Sequence, residues 1–337
     1  MNPLTETIDA LGFTSVWTYL AIFLGASLVM IWRLDALLKH GLEGTALGTL
    51  VMPYCSGLGN LLFVWIIAER KGPGAEVLTN CLVNNVTNLT VVLGLPALVW
   101  GLDLSARGNG KKSPAPAAGG SEATEHQLNR LSLLLTLAAV VFFSGVTWSL
   151  GADGKLDAHD GFVLVALFLF WQCFQVFDVL KHNLRQRHSF GPLFYLDVFI
   201  VLLGAYALYG SLDWLVAWLS GQKGQFVNAQ HLGWPSGWLM VLPNALLAFY
   251  YAARRRADIA YASQIGDGHI CIPLCVGLSA IVAPIAVPKF FETGLAILCG
   301  AAVAHALCVL LARGLPKWTG WPLLAAYAWF VGAGLLS

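Results

Sequence analysis

Long apolar runs alternate with short polar interruptions along this chain, and ten of them reach the roughly 20 residues a helix needs to cross a bilayer. They fall at roughly 15–36, 45–68, 76–101, 130–150, 160–180, 192–218, 235–253, 259–287, 290–312 and 319–336. The third and eighth are long and contain glycine, asparagine, aspartate or proline within the apolar stretch. Spans of that kind break near mid-membrane, where backbone freed from the helix lines a polar cavity.

The polar positions repeat. Leu58-Gly59-Asn60 is followed by Thr79-Asn80 and Asn84-Asn85-Val86-Thr87-Asn88, then by Leu93-Gly94-Leu95. About 183 residues later, Leu242-Pro243-Asn244 is followed by Gly266-Asp267-Gly268-His269, then by Gly277-Leu278-Ser279. Amides and a carboxylate inside apolar spans are costly, and by default they mark a polar pathway. Helix–helix glue explains one such amide alone, but a set at matching places in two segments points to a shared cavity. Ten spans divide into five and five. Because five is odd, the second half crosses the membrane in the opposite sense, which makes the repeats inverted and puts their common site near the midplane.

Composition narrows the class. The chain is 58% hydrophobic and 11% charged with a mean hydropathy of +0.71, whereas a soluble protein carries about a quarter charged residues. It reads as an integral, multi-pass membrane protein, of the inner membrane in a bacterium. A net charge of +1 and no basic tract longer than Arg254-Arg255-Arg256 leave nothing that reads as nucleic-acid binding. With the N-terminus outside, 14 of the 19 Lys and Arg residues fall in inner loops and 5 in outer ones, so both termini are expected to be extracytoplasmic. Met1 to Leu11 lacks Lys, Arg and a small-residue cleavage site, so it is not read as a signal peptide. The stretch 103–129, rich in Gly, Ala, Ser and Pro, reads as a flexible inner linker. It separates helices 1–3 (1–102, first repeat about 41–101) from helices 4–5 (130–188). Helices 6–10 (189–337, second repeat about 228–288) complete the chain.

Other features point to less. The seven cysteines show no zinc or redox spacing. Asp153, Asp157 and Asp160 are spaced like calcium ligands but lack the rest of an EF-hand, so a solvated loop is expected. Glu69, Asp178, Asp197, Asp258 and Glu292 lie near span ends and are expected to face headgroup water, with Glu292 also placed to line an outer vestibule. No HExxH, no Ser/His/Asp arrangement and no paired intramembrane aspartates occur, so the chain is not read as an enzyme and no cofactor is expected.

These residues resemble the two α-repeats of the cation/calcium exchanger superfamily. That family carries Gly-Thr-Ser-Leu-Pro-Glu, then Gly-Asn-x-x-Gly-Ser-Asn-x-x-Asn, then an apolar Leu-Gly-Leu stretch in each half. In the first repeat Ser56 falls at the Thr and Asn60 at the Glu, while Asn80, Asn84, Asn85 and Asn88 cover the second motif. In the second repeat Leu242-Pro243-Asn244 matches Leu-Pro-Glu, Asp267 takes the Ser position and Cys271 the last Asn. The resemblance implies an all-α membrane fold of ten helices in two inverted five-helix repeats, acting as a sodium/calcium-exchanger-type antiporter. It also implies a cation site built from Ser56, Asn60, Asn80, Asn84, Asn85, Asn88, Asn244 and Asp267, with Asn60, Asn84, Asn244 and Asp267 closest to the ion. The partners are then inorganic cations and the lipid bilayer.

The departures from the family bear on the ion. Both motif glutamates are asparagine here, which leaves many oxygens and one formal charge, on Asp267. Calcium takes six to eight oxygens, several of them carboxylate. The set therefore suits Na⁺ or H⁺ better than Ca²⁺. His269 admits two readings, a proton-linked group beside Asp267 or a polar residue bonded to another helix. The alternative to an antiporter is a scaffold that has kept the fold and lost ion coupling.

Overall fold

A computed structural model describes residues 3–37, 57–104, 121–183, 191–224, 231–266 and 268–335. Almost all of it is helix. After a short α1 (Pro3–Ala10) come α2 (Val16–Leu37) and α3 (Leu58–Glu69). A broken span follows, made of α4 (Gly74–Thr87), a π-helical segment (Asn88–Val92) and α5 (Leu93–Trp100). Next are α6 (Ser121–Leu150), α7 (Ala158–Asn183), α8 (Pro192–Ser220) and α9 (Gly233–Ala253). A second broken span holds α10 (Ala257–Gly266), a π segment (Ile270–Val276) and α11 (Gly277–Val282), before α12 (Phe291–Ala312) and α13 (Gly320–Leu335) close the chain. Seven helical stretches are long and apolar enough to cross a membrane: 16–34, 74–100, 130–153, 158–177, 192–220, 259–282 and 291–312. The runs read at 45–68, 235–253 and 319–336 also hold helix, although 45–56 lies outside the described residues. Helix α6 begins at Ser121, nine residues before the expected start of its span.

Local sequence accounts for both breaks. Proline has no N–H to give to the carbonyl four residues back, so Pro96 frees Val92 and Pro273 frees His269. Thr87 and Thr90 hydroxyls donate back to the Val83 and Val86 carbonyls, a bond that bends helices. Both broken spans are almost wholly buried, whereas α2, α7 and α8 expose much of their apolar surface, as lipid-facing helices do.

Two short strand pairs hold the helix ends. Strand β1 (Leu102–Asp103) pairs antiparallel with β4 (Gly314–Leu315), and β2 (Lys155–Leu156) with β3 (Ile285–Ala286). Helix α12 runs from β3 to β4, and its 22 residues rise about 33 Å, so the pairs lie at opposite ends of a membrane-sized body. Helices α2 and α8 pair along their lengths, with Tyr19 stacked on Trp214 (ring centroids 4.1 Å apart) and Arg33 bonded to Asp197 at 3.1 Å. Asp197, expected in headgroup water, is instead buried at 3% exposure, because α8 turns it toward the guanidinium on α2. At the other end of α8, Arg70 bonds Asp213, and the Tyr209 hydroxyl donates to Glu69 at 3.4 Å.

The acidic loop is used locally. The Asp157 carboxylate accepts the N–H groups of His159 (2.9 Å) and Asp160 (3.3 Å), which caps α7. Those bonds hold its carboxyl below the usual aspartate range. Asp160 returns the bond by accepting the Asp157 N–H at 2.9 Å.

Glycine permits two backbone crossings of the same kind. A Cβ on Gly320 would meet the Gly94 carbonyl oxygen at 2.6 Å, and one on Gly161 would meet the Gly277 carbonyl oxygen at 2.6 Å. Each broken span thus touches a glycine of a helix from the opposite half of the chain. Gly161→Ala should destabilise the protein by about 1–3 kcal/mol, because backbone has to move. Gly300→Ala, which meets nothing within 4 Å, should be neutral or slightly stabilising. Thermal unfolding in one detergent compares them, and equal melting temperatures would refute the crossing.

Candidate functional site

The third span carries its asparagines four residues apart, so Asn80, Asn84 and Asn88 follow one slowly winding face of α4 into the π segment. All three are at most 1% exposed. Asn88 Nδ2 donates to Asn84 Oδ1 at 2.8 Å, and Asn84 Nδ2 donates to Asn60 Oδ1 at 2.9 Å. Asn84 Nδ2 also reaches Cys271 Sγ at 3.6 Å, on the second π segment. A chain of amides therefore runs from the first break to α3 and touches the second break. Asn88 Oδ1 finds no hydrogen-bond partner among the described residues, which leaves a buried carbonyl oxygen pointing at no donor.

Asn60 and Asn244 face one cavity. Its volume is about 40 Å³, room for a small ion or a few waters. Phe23, Ser27, Met30 and Ile31 of α2 and Leu208 of α8 form one wall. Gly59 and Asn60 of α3, with Met240, Pro243 and Asn244 of α9, form the other. The two motif asparagines from the two halves thus meet where the α2–α8 pair faces the rest of the molecule. The Asn244 carbonyl oxygen accepts Gln264 Nε2 at 3.2 Å, which joins α9 to the second broken span as Asn84 joins α3 to the first.

The remaining predicted residues fall elsewhere. Asn80 Nδ2 donates to Ser236 Oγ of α9 at 3.0 Å, and Asn85 Nδ2 donates to the Cys81 carbonyl of its own helix at 2.8 Å. Ser56 and Asp267 lie outside the described residues. His269 is buried between the rings of Phe143 and Trp171, and its Nε2–H donates to the Thr136 carbonyl at 3.1 Å. It is a polar residue bonded to α6, and among the described residues no hydrogen bond joins it to the amide chain. Glu292 lines a hollow of about 230 Å³ between α6 and α12, apart from the amides.

Two buried groups escaped the sequence reading. His305 on α12 donates from Nε2 to the Leu89 carbonyl at 2.7 Å and accepts the Tyr261 hydroxyl at Nδ1 at 2.6 Å. A carbonyl only accepts, so the Leu89 bond places a hydrogen on Nε2. This ties both broken spans to one imidazole. Glu76, 7% exposed in the first turn of α4, accepts the Gly233 N–H. The available signal was simple in both cases: an ionisable residue inside an apolar span is a site by default.

This fold is that of a polytopic helical membrane protein with amides buried at its centre. Residues 11–177 match the family described as sodium/calcium exchanger protein. Solved structures of the sodium-calcium exchanger NCX_Mj share the fold. One, soaked with 2.5 mM Na⁺ and 1 mM Sr²⁺, superposes with a TM-score of 0.63 at 16% identity, over 94% of this chain and 96% of that one. Another, soaked with 2.5 mM Na⁺ and 0.1 mM Ca²⁺, gives 0.62 at 16% identity over 99% of both chains. A third, with zero Na⁺ and Ca²⁺, gives 0.57 over 91% and 93%. No curated protein sequence matches the chain. Residues 11–177, just under half of the chain, are thus similar to sodium/calcium exchangers in sequence, and the whole chain shares their fold.

Asn84→Leu should strip the acceptor from Asn88 and the donor from Asn60 at once. Leaving those amides unpaired in an apolar interior costs about 1–3 kcal/mol. A melting temperature equal to that of the unaltered protein would show that the amide chain contributes nothing to stability.

Proposed function

We propose that the protein is a secondary active cation antiporter working by alternating access, with its ion site near the membrane midplane between inverted repeats. The observation that carries this reading is the meeting of Asn60 and Asn244 at one small cavity between the α2–α8 pair and the rest. A cavity at such a boundary opens to alternate sides when one body moves past the other. The lysine and arginine distribution, with both termini outside, agrees with the strand pairs, since β1–β4 and β2–β3 join loops assigned to the same face in each case.

Asn60, Asn244 and Ser27 are the polar residues of the cavity lining, and Asp267 is the one formal charge in the motif. A divalent ion beside one carboxylate in a medium of low dielectric is left half-neutralised, whereas Na⁺ or H⁺ is matched. The exchanged ions are accordingly Na⁺ and H⁺ before Ca²⁺. One observation favours a scaffold without ion flux: Asn60 Oδ1 already accepts from Asn84, so an ion has to compete with a made hydrogen bond.

Proteoliposomes separate the two. Radioactive sodium uptake should accelerate against an opposing cation or pH gradient, and Asp267→Asn should abolish it without loss of folded protein. Flux that is absent for every ion tested sinks the antiporter. A rate that does not change with pH removes the proton from the exchange. The combined Asn60→Glu and Asn244→Glu variant should gain calcium-dependent thermal stabilisation of about 1–3 kcal/mol that the unaltered protein lacks, as expected for a ligand at tens of times its dissociation constant. No gain would show that charge at these two positions does not decide the ion.

A further inference from the structure

We propose that Glu76, Asn80 and Ser236 form a second cation site, for sodium, distinct from the Asn60–Asn244 cavity. Glu76 lies four residues before Asn80 and eight before Asn84 on α4, about 12 Å along the helix from the amide pair. It sits next to the loop holding Arg70 and Lys71, which the charge distribution assigns to the outer face. The stripe of amides thus ends outward in a carboxylate.

That carboxylate is expensive. A buried charge in an apolar span needs a compensating partner. The Gly233 N–H at the start of α9 donates to Oε2, and the helix terminus offers about half a positive charge. No lysine or arginine pairs with Glu76 among the described residues. Half a charge remains to be met.

The facing groups are oxygens with capacity left over. Asn80 Nδ2 is committed to Ser236 Oγ at 3.0 Å, and Asn80 Oδ1, at a residue 1% exposed, has no hydrogen-bond partner among the described residues. Ser236 Oγ donates to the Gly233 carbonyl at 3.2 Å and keeps a lone pair. A carboxylate, an amide and a hydroxyl therefore meet on the same turn of α9, and the amide keeps its carbonyl oxygen unused. Two glycines bring the helices that close: a Cβ on Gly233 would meet the Glu76 carbonyl oxygen at 2.6 Å, and one on Gly237 the Asn80 carbonyl oxygen at 3.0 Å. Hard oxygen donors with one negative charge fit a hard monovalent cation, not a divalent or a soft one.

Infrared difference spectra of the full chain in lipid, with Na⁺ exchanged for choline at constant pH and ionic strength, test the site directly. Sodium should shift a carboxylate stretching band saturably. The shift should vanish in Glu76→Gln and persist when Asn60 and Asn244 are both alanine. Ser236→Ala, with folding checked by its melting temperature, should raise the half-saturating Na⁺ about five- to tenfold. The proposal is overturned by a shift that survives in Glu76→Gln, by unchanged half-saturation in Ser236→Ala, or by a carboxyl band that pH moves and sodium does not. Sodium-dependent stabilisation that needs Asn60 but moves no Glu76 band overturns this site and leaves the amide cavity standing. A Glu76 band without any flux does the reverse.

Discussion

Everything in the centre of this molecule depends on the requirement that an amide taken out of water be given a partner. An unmade hydrogen bond in an apolar interior costs about 1–3 kcal/mol, so the asparagines of α4 constrain where their neighbours can stand. Asn88 holds Asn84, Asn84 holds Asn60, and Asn80 holds Ser236. Each bond joins α4 or its π segment to another element or to its own next turn. The register between α4, α3 and α9 is thereby fixed by polar chemistry in a place where apolar packing alone would tolerate rotation.

Much of this arrangement is legible in the sequence. Spans follow from run length, and the two broken spans from Pro96, Pro273 and the polar positions around them. Duplication and parity lead one to expect Asn60 and Asn244 close together, and both line one cavity. Other parts are not legible. Asp197 reads as a surface acid until α8 is seen beside α2, because helix rotation decides whether a side chain near a span end meets water or Arg33. Glu76 reads as the polar start of a helix until the depth of that start is known. His305 is one polar residue in a long apolar run, and its partners, the Leu89 carbonyl and Tyr261, lie more than 40 residues away. A bond to a backbone carbonyl leaves no trace in side-chain pattern.

Amides instead of acids at positions 60 and 244 decide what these positions can bind. Asparagine can satisfy itself against another asparagine, whereas a glutamate at the same depth would demand a cation or a proton. Asn60 and Asn84 are therefore satisfied against each other, and any ion at Asn60 would have to compete with that bond. Glu76, two turns along α4 from Asn84, is a further buried carboxylate, and a helix terminus partly balances it.

The short strand pairs have a mechanical consequence. With β1 fastened to β4 at one end of α12 and β2 fastened to β3 at the other, the helices between them are clamped top and bottom like the staves of a barrel. Such a body resists shear. The α2–α8 pair carries no strand clamp of its own among the described residues, and Arg70 with Asp213 tethers it to α3 at one end only. A pair tied by one ion pair at one corner is held least at its opposite edge, so a force on it would displace that edge the most.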